Sequence, residues 1–460
     1  MPELTYVNAS CHCALNTFRV GFLISSLPIS TDLCHCSTCR HTSGQLAVEQ
    51  VSIHGAPLAR AVGGSRQHSG NRSRSRSPAP GARSTGNTNL NTKRHSALLA
   101  PPTIPIIVVE PDIPLDLTDL TAYKTSPDVT RYFCNSCSSH LFFVVHTKST
   151  DPITGEEEKT DKWAVAVGAL DKTEGIVRLG YHIWVGDTLD GGIANHLRRI
   201  EGVGVLPRYS EGVGSPLVPI GLNAIQPPPI ANGSANPNSP PSSDLLKAFC
   251  HCGALHFALT RPTPESSLPT SVYPDLICPY DVSHLSKIHN PSDEKWWLAP
   301  RHSMGPKTKY LAGHCMCTFC RLTSGFEVQS WAFVPLVNVL VPASASGENG
   351  GGQDGEEWVP LCLEEDEHRP KALKQYISSP GRYREFCGTC GATAFWWQLA
   401  VPDLLEVSVG LLDERIDGAR AESWLEWCTD RVSYEDKALS PEVAKALAEG
   451  LKESAKKAES

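Results

Sequence analysis

The fold class the sequence predicts is mostly β: two tandem small antiparallel-β domains with long loop insertions. Three observations predict it. Gly and Pro each occur 36 times in 460 residues and charged residues make up 20%, a mix that favours short strands and many turns over long helices. Fourteen of the 17 cysteines fall into two sets with the same order. The first is Cys11-x-Cys13, Cys34-x-Cys36-x-x-Cys39 and Cys134-x-x-Cys137; the second is Cys250-x-Cys252, Cys315-x-Cys317-x-x-Cys320 and Cys387-x-x-Cys390. Cys278, Cys362 and Cys428 stand outside both. Thirdly, the flanks repeat as well, and internal repetition on this scale decides the architecture before any local reading. Cys-Arg-x-Thr-Ser-Gly runs from Cys39 to Gly44 and from Cys320 to Gly325. Tyr123 and Tyr376 each lie 11 residues before the first cysteine of the late pair, Arg131 matches Arg384, and Phe133 matches Phe386. Val165–Asp171 likewise matches Val407–Asp413.

The elements follow from this frame. Leu141–His146, Trp163–Gly168, Val328–Val334, Ala394–Leu399 and Leu404–Val409 are enriched in β-branched or aromatic residues and read as strands. Repeat one, residues 1–205, carries an insert around 60–105 rich in Ser, Arg, Gly and Pro. Repeat two, residues 247–435, carries inserts around 262–308 and 343–372. Loops on a rigid scaffold absorb such lengths at small entropic cost. Residues 206–246, rich in Pro, Gly, Asn and Ser, read as a linker. Residues 436–460 hold one helix, with Ser440 as a cap, Pro441 in the first turn and Val443, Leu447 and Leu451 as an apolar stripe.

A net charge of −8 gives no whole-chain reason to bind nucleic acid or an acidic membrane. Met1–Thr5 lacks the basic and apolar regions of a signal peptide. Runs such as Leu141–Val145 are too short to span a bilayer. The expected compartment is the cytoplasm, with the nucleus open to it, where thiols stay reduced and available to metal.

Seven cysteines per repeat divide naturally into four and three. Four thiolates close a tetrahedral structural zinc site, while three leave a coordination position open. The Cys-x-Cys-x-x-Cys triplet spans about 17 Å at full extension, so one curled loop can gather its sulfurs. Zinc held by three thiolates is a weak Lewis acid toward water but still binds a thiol. Spacing alone leaves other groupings open. Buried reduced thiols, disulfides and purely structural zinc sites are the plainer readings.

Cys-His-Cys near the start, Cys-x-Cys-x-x-Cys-Arg-x-x-Ser-Gly in the middle and Phe-Cys-x-x-Cys late resemble the glutathione-dependent formaldehyde-activating enzyme family, which includes centromere protein V. The resemblance covers both repeats apart from the inserts. It implies a mostly β fold with two zinc ions per repeat, about four per chain. It implies structural zinc on Cys11, Cys13, Cys134 and Cys137, and on Cys250, Cys252, Cys387 and Cys390. It implies catalytic zinc on Cys34, Cys36 and Cys39, and on Cys315, Cys317 and Cys320. The implied activity joins formaldehyde to glutathione, a carbon–sulfur lyase reaction, with a small thiol and a small aldehyde as partners.

Around the triplets, Arg40 and Arg321 are candidates to steady a developing alkoxide or a substrate carboxylate. Ser43-Gly44 and Ser324-Gly325 are candidate backbone donors, and His12, His35, His41 and His251 candidate proton carriers. Repeat two keeps Gly253 and Gly391 after its cysteine pairs where repeat one has Ala14 and Ser138. It also has Phe326, Trp331 and Phe333 where the corresponding region of repeat one offers Leu46, Val48 and Val51. Repeat two is therefore the better preserved site. Two other readings stand beside the lyase: a non-catalytic zinc module binding chromatin or protein, with Arg72–Arg76 as its nucleic-acid contact, and a metal buffer of labile thiolates.

Overall fold

All five expected segments lie in strands, within His140–Thr150, Glu157–Ala166, Gln329–Pro335, Thr393–Gln398 and Val401–Ser408, apart from a few terminal residues. The computed structural model describes residues 2–59, 115–150, 157–222, 245–273, 275, 290–301, 305–343, 357–364 and 369–458. The 60–105 insert, with its Arg72–Arg76 run, and Cys278 lie outside the described residues. The fold is mostly β, with several antiparallel sheets. Among the described residues no helix is long and apolar enough to cross a membrane.

The two repeats share one topology. Each starts with a hairpin that carries the first cysteine pair in its turn: Leu4–Ser10 with Thr17–Leu23, and Leu245–Phe249 with His256–Thr260. The main sheet of repeat one runs in the order Val177–Ile183, Ile29–Cys34, Val48–Ser52, Glu157–Ala166, His140–Thr150, Val129–Cys134, Leu120–Ser126. In repeat two the matching order is Leu425–Trp427, Lys309–Cys315, Gln329–Pro335, Val401–Ser408, Thr393–Gln398, Arg382–Cys387, Leu373–Ser379. The first pair in each sheet is parallel, an exception to the antiparallel rule.

Register lays out the site. Residues directly opposite one another in a sheet share a face and stand about 5 Å apart. In repeat two one such row reads Phe333, Glu406, Trp396, Arg384, Tyr376. In repeat one the same row reads Ser52, Ala164, Phe143, Arg131, Tyr123. The true counterparts of Trp331 and Phe333 are therefore Gln50 and Ser52. The sequence comparison with Val48 and Val51 was out of register: Val48 opposes Cys34 as Gln329 opposes Cys315.

The repeats pack face to face through reciprocal contacts. Gly44, at φ 81°, meets the backbone of Thr393, and Gly325, at φ 83°, meets the backbone of His140. Gly168 abuts Phe326, and Gly410 abuts Gln45. One apolar core joins Leu33, Leu46, Ile193 and Leu197 of the first repeat to Leu246, Phe257, Trp297 and Phe395 of the second.

Two composition-based boundaries are reshaped by packing. Within 206–246, residues 206–222 fold onto repeat one. Leu206 is buried, Tyr209 N–H donates to His182 O, and Arg208 donates to Asn195 Oδ1 at 2.6 Å. The 262–308 insert gives the core Trp296 and Trp297, whose indole N–H groups donate to Tyr273 O and Ser266 O. The final helix runs Pro441–Ala458 and buries Val443, Leu447 and Leu451. It docks on repeat one, where Glu453 pairs with Arg198 at 3.2 Å. The Ser440 hydroxyl turns away from the helix to Thr173, at 3.1 Å.

Candidate metal centres

The fold gathers the matched cysteines into four clusters, in each of which all sulfurs lie within 4.8 Å of one another. Two are quartets: Cys11, Cys13, Cys134 and Cys137; and Cys250, Cys252, Cys387 and Cys390. Two are trios: Cys34, Cys36 and Cys39; and Cys315, Cys317 and Cys320. In the quartets Cys11–Cys13 and Cys250–Cys252 stand 3.4 Å apart, and Cys13–Cys134 and Cys252–Cys387 3.5 Å apart. Such gaps exceed the roughly 2.05 Å of a disulfide. They approach the ~3.8 Å edge of a thiolate tetrahedron built on a zinc–sulfur distance of about 2.3 Å. All described cysteines are free, so soft sulfur donors in tetrahedral reach fit zinc and argue against disulfides.

Local backbone explains each quartet. Cys-x-Cys sits in a hairpin turn and Cys-x-x-Cys at the end of a strand, and each turn closes through a residue of positive φ. These are Ala14 (58°), Ser138 (64°), Gly253 (74°) and Gly391 (80°). Repeat one therefore keeps the glycine conformation without the glycine.

Each trio straddles a strand end and a short helix, Ser37–Ser43 or Thr318–Ser324. The middle cysteine is the N-cap, its sulfur accepting the third cysteine's N–H at 3.3 Å in both repeats. Gly44 and Gly325 end the helices in the left-handed conformation. No further His, Cys, Asp or Glu among the described residues joins either trio, so an ion held there keeps a position open.

One arginine reaches each trio across the sheet. Arg131 Nη2 donates to Cys39 Sγ at 3.2 Å, and Arg384 Nη2 donates to Cys320 Sγ at 3.4 Å. Hydrogen bonds from the two companion cysteines, together with this guanidinium, hold Cys39 and Cys320 well below the usual thiol range. Arg384 is buried, and its Nε and Nη1 have no hydrogen-bond partner.

Arg40 and Arg321 stand elsewhere. Arg40 donates to His35 O at 3.1 Å and pairs with Glu414 of the other repeat at 3.2 Å. Arg321 donates across the repeat interface to Gly168 O and Leu170 O. Following the third ligand on a helix turns a side chain away from the metal face, so these arginines brace the junction between repeats. The arginines that touch sulfur come from a distant strand. Sequence matching had marked Arg131 and Arg384 only as landmarks.

The candidate backbone donors Gly44 and Gly325 close their helices, donating to Arg40 O at 2.7 Å and Arg321 O at 2.8 Å, and the serine hydroxyls are also spent locally, Ser43 Oγ on Cys39 O at 2.7 Å and Ser324 Oγ on Phe326 O at 3.0 Å. His35 is buried against His182 at 3.0 Å, and His41 pairs with Glu414 at 3.1 Å. His12 and His251 cross between repeats. His12 Nδ1 bonds Tyr376 Oη and His251 Nδ1 bonds Tyr123 Oη, each at 2.7 Å. The His12 ring lies 5.1 Å from that of Phe319, which sits between Cys317 and Cys320. The closed cluster of one repeat thus abuts the open trio of the other.

A cavity of about 470 Å³ opens over the repeat-two trio. Cys315, Cys317 and Cys320 line it together with Trp331, Phe333, Trp396, Arg384 and Glu406. Phe326, expected as a wall, instead packs in the core of repeat one beside His140. Glu406 was missed by sequence reading because its relation to Cys320 depends on strand order. Compared with known proteins, the chain matches no family model, no curated protein and no solved structure.

Proposed function

We propose that the chain is a zinc-dependent carbon–sulfur lyase-like enzyme that adds a small thiol of the glutathione type to a small aldehyde such as formaldehyde. The observation that carries this reading is the open three-cysteine cluster of repeat two under its aromatic-walled cavity. The motif resemblance to the formaldehyde-activating family, both repeats included, supports the same chemistry. Zinc bound by three thiolates supplies a position that takes a thiol as thiolate.

The protein's own groups do the rest. Arg384 holds Cys320 in its ligand state, and its unpartnered Nε and Nη1 are the donors for the negative oxygen that develops as sulfur attacks the aldehyde carbon. Trp331, Phe333 and Trp396 exclude water and strengthen that hydrogen bonding. Arg40, Arg321 and the quartets keep the two halves in place. Repeat two carries the reaction better than repeat one, whose matching wall positions are Gln50 and Ser52.

The test uses Cys320→Ser and Cys39→Ser, singly and together, with thiol–aldehyde exchange followed by NMR. Loss of exchange in Cys320→Ser, with a smaller loss in Cys39→Ser, is expected; unchanged exchange in the double variant rejects the reading. Freshly reduced protein should contain about four zinc ions per chain, and about two would leave one site per repeat. A purely structural zinc module would need no cavity over its trio and would show no exchange at all.

A further inference from the structure

The row Phe333, Glu406, Trp396, Arg384 places a carboxyl group on the pocket wall between two aromatic rings, two strands from the arginine that serves Cys320. Glu406 lines the cavity, and Trp331 from the neighbouring row completes the aromatic surround. The one cation acting directly on it is Arg384, which is shared with the Cys320 sulfur. Three thiolates are balanced by one divalent ion and the Arg384 guanidinium. At the rim, Lys437 pairs with Asp436 at 2.7 Å, and Arg382 reaches Ser379 Oγ at 3.5 Å. A carboxylate ringed by indole and phenyl faces is a receptor for an ammonium group. In repeat one the same position is Ala164 beside Ser52, which offers neither charge nor a second ring.

We infer that the repeat-two pocket selects thiols that carry a positively charged amine, with Glu406 as the ammonium subsite and the open cysteine trio as the sulfur subsite. The inference rests on the thiol-binding reading of the trio but not on aldehyde chemistry, so the two can fail separately.

The experiment is thiol titration of the cobalt-loaded full-length chain, followed by sulfur-to-cobalt charge-transfer absorption. The probes are cysteamine, 2-mercaptoethanol and 3-mercaptopropionate, which differ chiefly in charge. Cysteamine should bind about tenfold more tightly than 2-mercaptoethanol, and 3-mercaptopropionate should bind weakest. Glu406→Gln, a near-isosteric change, should erase the cysteamine advantage and leave 2-mercaptoethanol binding unchanged. Ala164→Glu should add a cysteamine preference at repeat one. The cobalt ligand-field bands of the quartets verify in each variant that the fold is intact. A preference that survives Glu406→Gln, or equal binding of all three thiols to the wild type, overturns the ammonium subsite alone. If no thiol perturbs the spectrum of the loaded wild type, the thiol-binding reading falls and takes this inference with it.

Discussion

Ala14 shows at single-residue scale how a metal turn tolerates divergence. Its φ of 58° is a conformation that costs an L-residue about 1–2 kcal/mol and glycine almost nothing. Its side chain is exposed, so little packing offsets that cost. Ala14→Gly should therefore stabilise the chain by about 0.5–1 kcal/mol, once the greater freedom of the unfolded glycine is counted, as read from urea unfolding of the zinc-loaded protein. Gly253→Ala, at the matching turn, should shift stability by a similar amount in the opposite direction. Arg384 supplies a second test. Its bond to Cys320 Sγ supports a metal ligand from outside the coordination shell, and Arg384→Gln should weaken metal retention by roughly 10- to 100-fold in competition with a chromophoric chelator. The cysteines were legible in the sequence because ligand chemistry depends on residue type and spacing. The arginine–sulfur contacts were not, because each arginine comes from a strand far along the chain whose position depends on sheet order.

At the scale of elements, the helix after each trio ends on a glycine that serves two purposes. It closes the helix in the left-handed region, and it lets the backbone of the other repeat approach. A Cβ on Gly325 would overlap the main chain of His140. Gly325→Ala should cost about 2–4 kcal/mol, from the backbone conformation and the overlap together. Gly55, at φ 71° with nothing within 4 Å of its virtual Cβ, isolates the first contribution, and Gly55→Ala should cost only about 1–2 kcal/mol. Equal losses in thermal or chemical unfolding would show that the close approach contributes nothing. The strands themselves could be read from their β-branched and aromatic content. Their register could not, because it depends on strand order: the comparison of Phe333 with Val51 failed by a single residue, and a one-residue slip exchanges the two faces of a strand.

Across the whole molecule, the main surprise is how far the repeats share their interior. Buried histidines mark the shared ground. His196 Nδ1 meets His314 Nε2 of the other repeat at 2.9 Å. Burial lowers His314 to about 3, and burial together with that neighbour lowers His196 well below its ordinary 6.5. Both are neutral when folded, whereas the unfolded chain binds protons below pH 6.5. Their contribution is thus fully present above that pH and is lost as the pH falls toward 3. Glu49 and Glu327, raised to about 8 and about 7 by burial, act in the opposite sense over part of this range, so the bare slope of stability with pH mixes signs. The variant isolates the effect: relative to wild type, His196→Gln should lose less stability on acidification below pH 6.5, by up to about 1.4 kcal/mol per pH unit. Parallel pH profiles for the two proteins would contradict the assignment. Composition suggested two separate small domains because loops and inserts dominate the sequence between motifs. Apolar residues such as Trp297 and Leu197 do not reveal from sequence which partner will bury them.

The reciprocal seam between repeats has a consequence for symmetry. In a homodimer assembled from a single repeat, every substitution would occur twice and face itself across the axis. Carrying both halves on one chain removes that constraint. A glutamate can stand at position 406 while its mirror position keeps an alanine, and a tryptophan at 331 can answer a glutamine at 50. Tyr123 and Tyr376, which each bind a histidine of the opposite half, have stayed alike. On one chain the junction keeps the plan of a symmetric pair while each pocket is free to differ.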